Sequence, residues 1–391
     1  MIREEVQGGW FSLTSAALTA VVVGFASTIL VIMQAAQAVG ANTAQQASWA
    51  AVLCFGMAFT SLYLSWTHRM PIITAWSTPG AALIATSAAG VTYAHALGAF
   101  VVAGLLMALA GLIKPLARAI AQIPAPLAAA MLAGVLLHYT LGVPAAALAL
   151  PKFVIPLIIV FFGLRMSYPL FAVPVVVVLG VGIAALGGGF SGNCCALELT
   201  ALVWTTPQFE VASILSLGVP LFLVTMASQN LPGFAVLRAA GYQPPVTSCL
   251  LVTGVASVMA APFGSHAINM AAITASLVTG PEAHPDKDKR WLVAWPYLML
   301  YLAVGLTAAM SVGVLGALPK ELIITIAGLA LFSPLMGGVT AMLQEPRDIE
   351  SALVTFLVTA SGVTFQGVGA AFWGLLAGLA VFGARHMVAG R

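Results

Sequence analysis

The sequence predicts an all-α integral membrane protein of about 14 transmembrane segments in two inverted repeats of seven. Three observations carry that expectation. The 391 residues are 61% hydrophobic and only 6% charged, with a mean hydropathy of +1.06. A water-exposed domain needs several times that density of charge, so the class is membrane. The apolar runs are continuous and do not alternate at period two, which favours helices over a β-barrel. Two short apolar segments, Thr74–Gly90 (TAWSTPGAALIATSAAG) and Gly264–Gly280 (GSHAINMAAITASLVTG), occupy corresponding places about 190 positions apart.

A span takes about 20 apolar residues. In chain order the apolar runs fall at 13–36, 46–66, the short segment 74–90, 93–113, 124–141, 152–166 and 169–187. The Gly-rich stretch Gly187–Gly192 and a polar connector ending near Glu210 follow. The second half gives 211–231, 244–261, the short segment 264–280, 291–312, 320–338, 350–362 and 366–386. The run from Leu13 to Met33 is longer than a signal-peptide core, and Glu4 and Glu5 spoil the positive flank at Arg3. It therefore reads as the first span, although Ala36-Gln37-Ala38 imitates a cleavage site.

Charge tests this count. With the N-terminus in the cytoplasm and every segment crossing, the inside positives are Arg3, Arg69, Lys114, Arg118, Arg165, Arg238, Lys287, Lys289, Arg290, Arg347, Arg385 and Arg391. Only Lys152 and Lys320 fall outside, so 12 of the 14 Lys and Arg are inside. That is the positive-inside asymmetry, and removing one span from the first half would destroy it. Both termini are expected in the cytoplasm. Leu30–Ala35 (LVIMQA) also resembles Leu223–Ser228 (LVTMAS) at an offset of 193, and Ala81-Ala82 matches Ala271-Ala272 at 190. An odd number of spans per repeat gives the repeats opposite orientations. In that plan, paired interrupted segments mark a substrate site.

The ionisable residues narrow the chemistry. All 11 acids lie in tails, connectors or span ends. No carboxylate pair for catalysis is available at membrane depth, and the spacing of Cys54, Cys194, Cys195 and Cys249 matches no metal site. No catalytic residue, cofactor or metal is expected, and a net charge of +3 carries no nucleic-acid signal. The polar inventory within the spans is neutral: Gln34, Ser77, Thr78, Gln229, Asn230, Ser265, His266 and Asn269.

Such residues at a helix start suit an anion, because unpaired N–H groups and the helix dipole favour negative charge there. Ser77 or Thr78 before Pro79 reads as an N-cap region, and Ser265 takes that part in the second segment. Pro79 and Gly80 let a ligand approach the backbone, and Trp76 is a candidate wall. An aromatic or otherwise apolar carboxylate fits neutral donors backed by apolar walls. Gln229-Asn230, before Leu231-Pro232, interrupts the eighth span; ligand binding and interhelical hydrogen bonding both remain open for it, as for Gln34. His266 is the ionisable side chain within the short segments, and structural and proton-coupling roles both stay open. His68, His95, His138, His284 and His386 lie at span ends or in loops and read as bland, and Gly374–Gly378 (GLLAG) reads as a packing motif.

Four stretches resemble a known family: Met33–Ala38 (MQAAQA), Thr74–Ala82 (TAWSTPGAA), Ala128–Gly134 (AAAMLAG) and Ala371–Leu375 (AFWGL). They look like the BenE-type benzoate/proton symporters over almost the whole length, with TAWSTPGAAL the most specific piece. The resemblance implies a bacterial inner-membrane carrier, not an enzyme, that imports benzoate or a related aromatic carboxylate with a proton by alternating access. It implies in turn the fold of nucleobase–ascorbate and SLC26-type transporters. In that fold a core domain (residues 1–122 and 209–313 here) packs beside a gate domain (123–208 and 314–391), and segments 3 and 10 are strand-plus-half-helix elements meeting at the substrate. Homodimers through the gate occur among those relatives.

One departure matters. Proton-coupled nucleobase carriers place a substrate-binding glutamate in the eighth segment, where this chain has neutral Gln229 or Asn230. The proton site is therefore not carried over, and a glutamate there would repel a carboxylate. The expected binding set is Ser77, Thr78, Pro79, Gly80, Gln229, Asn230, Ser265, His266, Asn269, Gln34 and Trp76, with His266 for proton coupling. A passive anion channel or uniporter of the same fold is the alternative.

Overall fold

The computed structural model describes residues 2–88, 90–113, 124–186, 198–366 and 368–389. Lys114, Arg118, Gly187–Gly192, Cys194, Cys195 and Arg391 lie outside the described residues. The first half runs α1 (Ile2–Ala38), α2 (Thr43–His68), β1 (Thr74–Trp76), α3 (Thr78–Ser87), α4 (Tyr93–Leu112), α5 (Ala125–Ala149), α6 (Pro151–Ser167) and α7 (Ala172–Leu186). After an extended connector come α8 (Val211–Ala239), α9 (Val246–Ala260), β2 (Ile268–Met270), α10 (Ile273–Thr279) and α11 (Lys287–Leu306). The chain closes with α12 (Ala308–Gly316), α13 (Lys320–Ala330), α14 (Phe332–Met342), α15 (Ile349–Ala360) and α16 (Ala370–Ala389).

Local chemistry sets the helix starts. Asn42 opens α2 with a capping box, its side chain accepting from Gln45 N–H while Gln45 accepts from Asn42 N–H, both at 2.9 Å. Ser77 opens α3, its Oγ accepting from Gly80 N–H at 3.1 Å with Pro79 in the first turn. The second short segment departs from expectation. Ser265 caps no helix; the chain turns at Gly264 (φ +112°), runs extended through β2, and turns helical only at Ile273. The reason is tertiary, since the side chains of His266 and Asn269 are held by distant partners that fix an extended backbone.

β1 and β2 pair antiparallel, Thr74 with Met270, Ala75 with Asn269 and Trp76 with Ile268. Extended backbone buried among membrane helices survives only if its polar groups are satisfied. Ser61 Oγ accepts from Thr74 N–H and Ser257 Oγ from Ile268 N–H, each at 2.9 Å. Tyr297 Oη donates to Thr74 C=O at 2.8 Å, and Met270 N–H donates to Asn230 Oδ1 at 2.9 Å.

The interruption expected near Pro232 takes the form of a π turn. Helix α8 contains two, Ile214–Gly218 and Met226–Asn230, and the second carries Gln229 and Asn230. Small residues set the closest helix contacts. Gly254 of α9 faces the Ala108 backbone of α4 with no room for a Cβ, and Gly374 and Gly378 of α16 lie against Thr359 and Thr355 of α15. The GLLAG motif therefore packs within the chain.

Among the described residues six helices are long and apolar enough to span a membrane, or eight if each bent pair counts as one. The bends lie between α11 and α12 (57°) and between α13 and α14 (40°). Thr307 stands at the first bend and donates its hydroxyl to Ala303 C=O at 3.0 Å, a back-bond that bends helices.

Candidate functional site

The strand crossing, the start of α3 and the second π turn of α8 meet at a cavity of about 100 Å³. Its apolar walls are Val23, Met57, Trp76, Ile273 and Tyr301; Gly24, Ala75 and Ala272 contribute backbone; Thr28, Thr78, Gln229 and Thr274 are its polar side chains. Among the described residues none that lines it is charged. Trp76 is oriented by its indole N–H, which donates to Thr28 Oγ1 at 2.7 Å, while Thr28 donates to Gly24 C=O at 2.8 Å. Phe25 packs on Trp76 at 5.9 Å between ring centroids.

Three polar side chains remain free. Neither the Gln229 carboxamide nor the hydroxyls of Thr78 and Thr274 have a hydrogen-bond partner among the described residues. In the first turn of α3, Pro79 has no N–H, Gly80 N–H is held by Ser77 Oγ, and Ala81 N–H by Ser77 C=O at 2.8 Å. The donor left in this turn is the N–H of Thr78, a residue that lines the cavity.

Of the expected set, the structure brings Trp76, Thr78 and Gln229 to the cavity. Ser77, Pro79, Gly80, Asn230, His266 and Asn269 frame it. Ser77 is fully buried, with its N–H donating to Asn269 Oδ1 at 2.9 Å, its C=O accepting from His266 Nε2–H at 2.9 Å, and its Oγ accepting from Thr225 Oγ1 at 2.9 Å. His266 Nδ1 accepts from Trp49 Nε1–H at 3.1 Å. An indole only donates and a carbonyl only accepts, so this histidine is the neutral Nε2–H tautomer with both nitrogens engaged. Asn230 is fully buried, holds β2 through Met270 N–H, and sets its Nδ2 3.3 Å from the sulfurs of Met107 and Met226. Pro79 and Gly80 are buried in α3, where Gly80 faces Leu221. Ser265 is buried with an unpartnered hydroxyl, and Gln34 is half-buried on α1; neither lines the cavity.

Sequence reasoning missed Gly24, Thr28, Met57, Thr274 and Tyr301. One signal was available for the first two. A glycine inside a helix costs about 1 kcal/mol relative to alanine, and Gly24 and Thr28 share a face at i, i+4. A Cβ at Gly24 would stand 3.0 Å from Tyr301 Oη and 3.3 Å from Thr274 Cγ2, so the glycine keeps the cavity open. Among the described residues no cluster of His, Cys, Asp and Glu could hold a metal. The arrangement suits a flat apolar body against Trp76 and Tyr301 with a small anionic head on the neutral donors.

A profile of the family described as Benzoate membrane transport protein matches residues 10–384. The chain is 41% identical over 378 residues to an Escherichia coli (strain K12) protein described as Inner membrane protein YdcO, covering 96% of each. It is 32% identical over 371 residues to the Benzoate membrane transport protein of Acinetobacter baylyi, covering 95% of this chain and 94% of that one. Among solved structures, the transmembrane domain of the cyanobacterial bicarbonate transporter BicA is similar with a TM-score of 0.60 at 17% identity, covering 95% of this chain and 97% of that one. SLC26A9 is similar with a TM-score of 0.61 at 12% identity, covering 98% of this chain and 66% of that one. At these identities the likeness shows the fold.

Proposed function

Because the chain belongs to the benzoate membrane transport protein family, we propose that it is a secondary carrier importing benzoate or a related aromatic carboxylate, with a proton and by alternating access. The observation that supports this most is the cavity: free neutral donors on Gln229, Thr78 and Thr274 face aromatic walls at Trp76 and Tyr301. The carboxylate takes the donors and the ring takes the walls. Ser77, Pro79, Gly80, Asn230, His266 and Asn269 act in this reading as the frame that holds β1, β2 and α3 in register, and Ser265 and Gln34 have no part in it.

The reading includes fourteen segments in two inverted repeats, the core and gate bounds given above, cytoplasmic termini and a homodimer through the gate. Internal symmetry supports the repeats: β1 and β2 begin 194 residues apart, and the serines that hold their first N–H groups are 196 apart. Packing supports the division. Helix α2 lies on α11 and α4 on α9, while α5 lies against α13, α14, α15 and α16.

The hydrogen bonds of His266 bear on the proton. A second proton, on Nδ1, would face the Trp49 N–H donor. In this conformation we therefore place the coupling proton on the substrate carboxylate.

Proteoliposomes loaded at alkaline pH test the function. Labelled benzoate is expected to enter saturably and faster when the outside is acid; no response to the gradient would remove the proton from the reading, and large unitary currents would replace the carrier with a channel. Gly24→Ala is expected to lower the affinity for ring-substituted benzoates about tenfold more than for benzoate itself, because the added methyl meets Tyr301 and Thr274. Competition assays check this, and an unchanged ranking would move the ring away from that wall.

A further inference from the structure

A second cavity, of about 90 Å³, lies at the far end of α3. Helix α3 has 10 residues, so the two cavities are about 15 Å apart along its axis. This one sits where Thr86 and Ser87 of α3 face His138 of α5, Thr359 of α15 and Thr364 in the loop before α16. It falls on the seam between core and gate, on the outer face in the proposed topology.

Its chemistry differs from that of the first. Among the described residues its polar lining is hydroxyls and one imidazole, without any aromatic side chain other than that imidazole, and without carboxylate, Lys or Arg. Thr359 is 5% exposed and its Oγ1 has no hydrogen-bond partner. The last carbonyls of α3 put partial negative charge at this end of the helix, which disfavours a resident anion. The elements packed on α5 carry Lys152 and Arg165 (α6), Arg238 (α8), Lys320 and Glu321 (α13), Glu350 (α15) and Arg385 (α16), and none of these lines the cavity. Tyr139, beside His138 on α5, does not line it either.

The first cavity offers no free imidazole or carboxyl group to bring a proton, and His266 is engaged at both nitrogens. A proton that travels with the substrate must then be on the carboxylate before it arrives. We infer that His138 puts it there. As imidazolium it gives its ring N–H proton to a carboxylate oxygen of the entering aromatic acid; the N–H bond breaks, the O–H bond forms, and the neutral imidazole takes its next proton from water on that face. In water the transfer is uphill by about two pK units. It is drawn forward because a neutral acid crosses the apolar seam far more readily than an anion. The inference rests on the proton-coupled reading above.

The test is His138→Gln in the same proteoliposomes. Uptake at an outer pH of about 7 is expected to fall at least tenfold, and to approach wild type at an outer pH of about 4, where about half of the substrate already carries its proton in solution. Benzoate should still raise the unfolding midpoint of the variant, which reports an intact first cavity. Thr359→Val, which removes the unpartnered hydroxyl and keeps the shape, is expected to lose about threefold with the same acid rescue. A wild-type pH profile in both variants overturns the inference, as does a loss equal at both pH values while benzoate stabilisation is kept. A wild-type protein indifferent to the gradient overturns the proton-coupled reading and this inference together, so the two failures are distinguishable.

Discussion

Gln229→Leu is expected to weaken benzoate binding at least fivefold in a protein that still folds, whereas Asn230→Leu, one residue on, is expected to lose the fold as well. The two amides share a π turn but not an environment. Gln229 lines the cavity with its carboxamide unpartnered, so the folded protein does not depend on it. Without it the substrate carboxyl group is left unpaired in the cavity, at a cost of about 1–3 kcal/mol, which is about five- to a hundredfold in affinity. Asn230 is fully buried and accepts from Met270 N–H at 2.9 Å. Leucine there strands that N–H among helices, at a cost of about 1–3 kcal/mol, and releases β2, whose pairing with β1 sets the start of α3. Monodispersity and the unfolding midpoint in detergent separate the variants, with benzoate affinity measured on whatever stays folded. Wild-type affinity in Gln229→Leu would remove that side chain from the site.

This pair also shows what the sequence carried and what it did not. Gln229-Asn230 stood out because adjacent amides inside an apolar run are costly. Which one faces a ligand depends on the π turn, and no sequence period announces one. The Ser77–Pro79 cap was legible because its bonds close within three residues. The second segment was misread because its determinants are remote: His266 bonds to Trp49 and Ser77, 217 and 189 positions away. A three-residue strand shows no alternation, so β1 and β2 were hidden except through resemblance. Gly24 and Tyr301 were hidden for the same reason, since the space between them exists only once α1 packs near α11. The membrane class rested on composition and was secure. The full number of segments was harder, because helices such as Ile349–Ala360 are shorter than a span.

His266→Gln is expected to keep benzoate transport within a few-fold of wild type, with its response to a pH gradient intact, while His266→Leu is expected to lose transport. A glutamine tip carries one acceptor and one donor. It can accept from Trp49 Nε1–H and donate to Ser77 C=O, the two bonds that the imidazole makes at 3.1 and 2.9 Å. Leucine satisfies neither, and each buried group left unpaired costs about 1–3 kcal/mol. The loss falls on Ser77, whose Oγ orders the first turn of α3 and whose N–H is held by Asn269. Disturbing it moves Trp76 and Thr78, the neighbours on either side that line the cavity. The opposite pattern decides the other way. If His266→Gln exchanges benzoate normally but no longer accelerates in an imposed gradient, the proton rides on His266, and the Trp49 bond must break in each cycle to admit it.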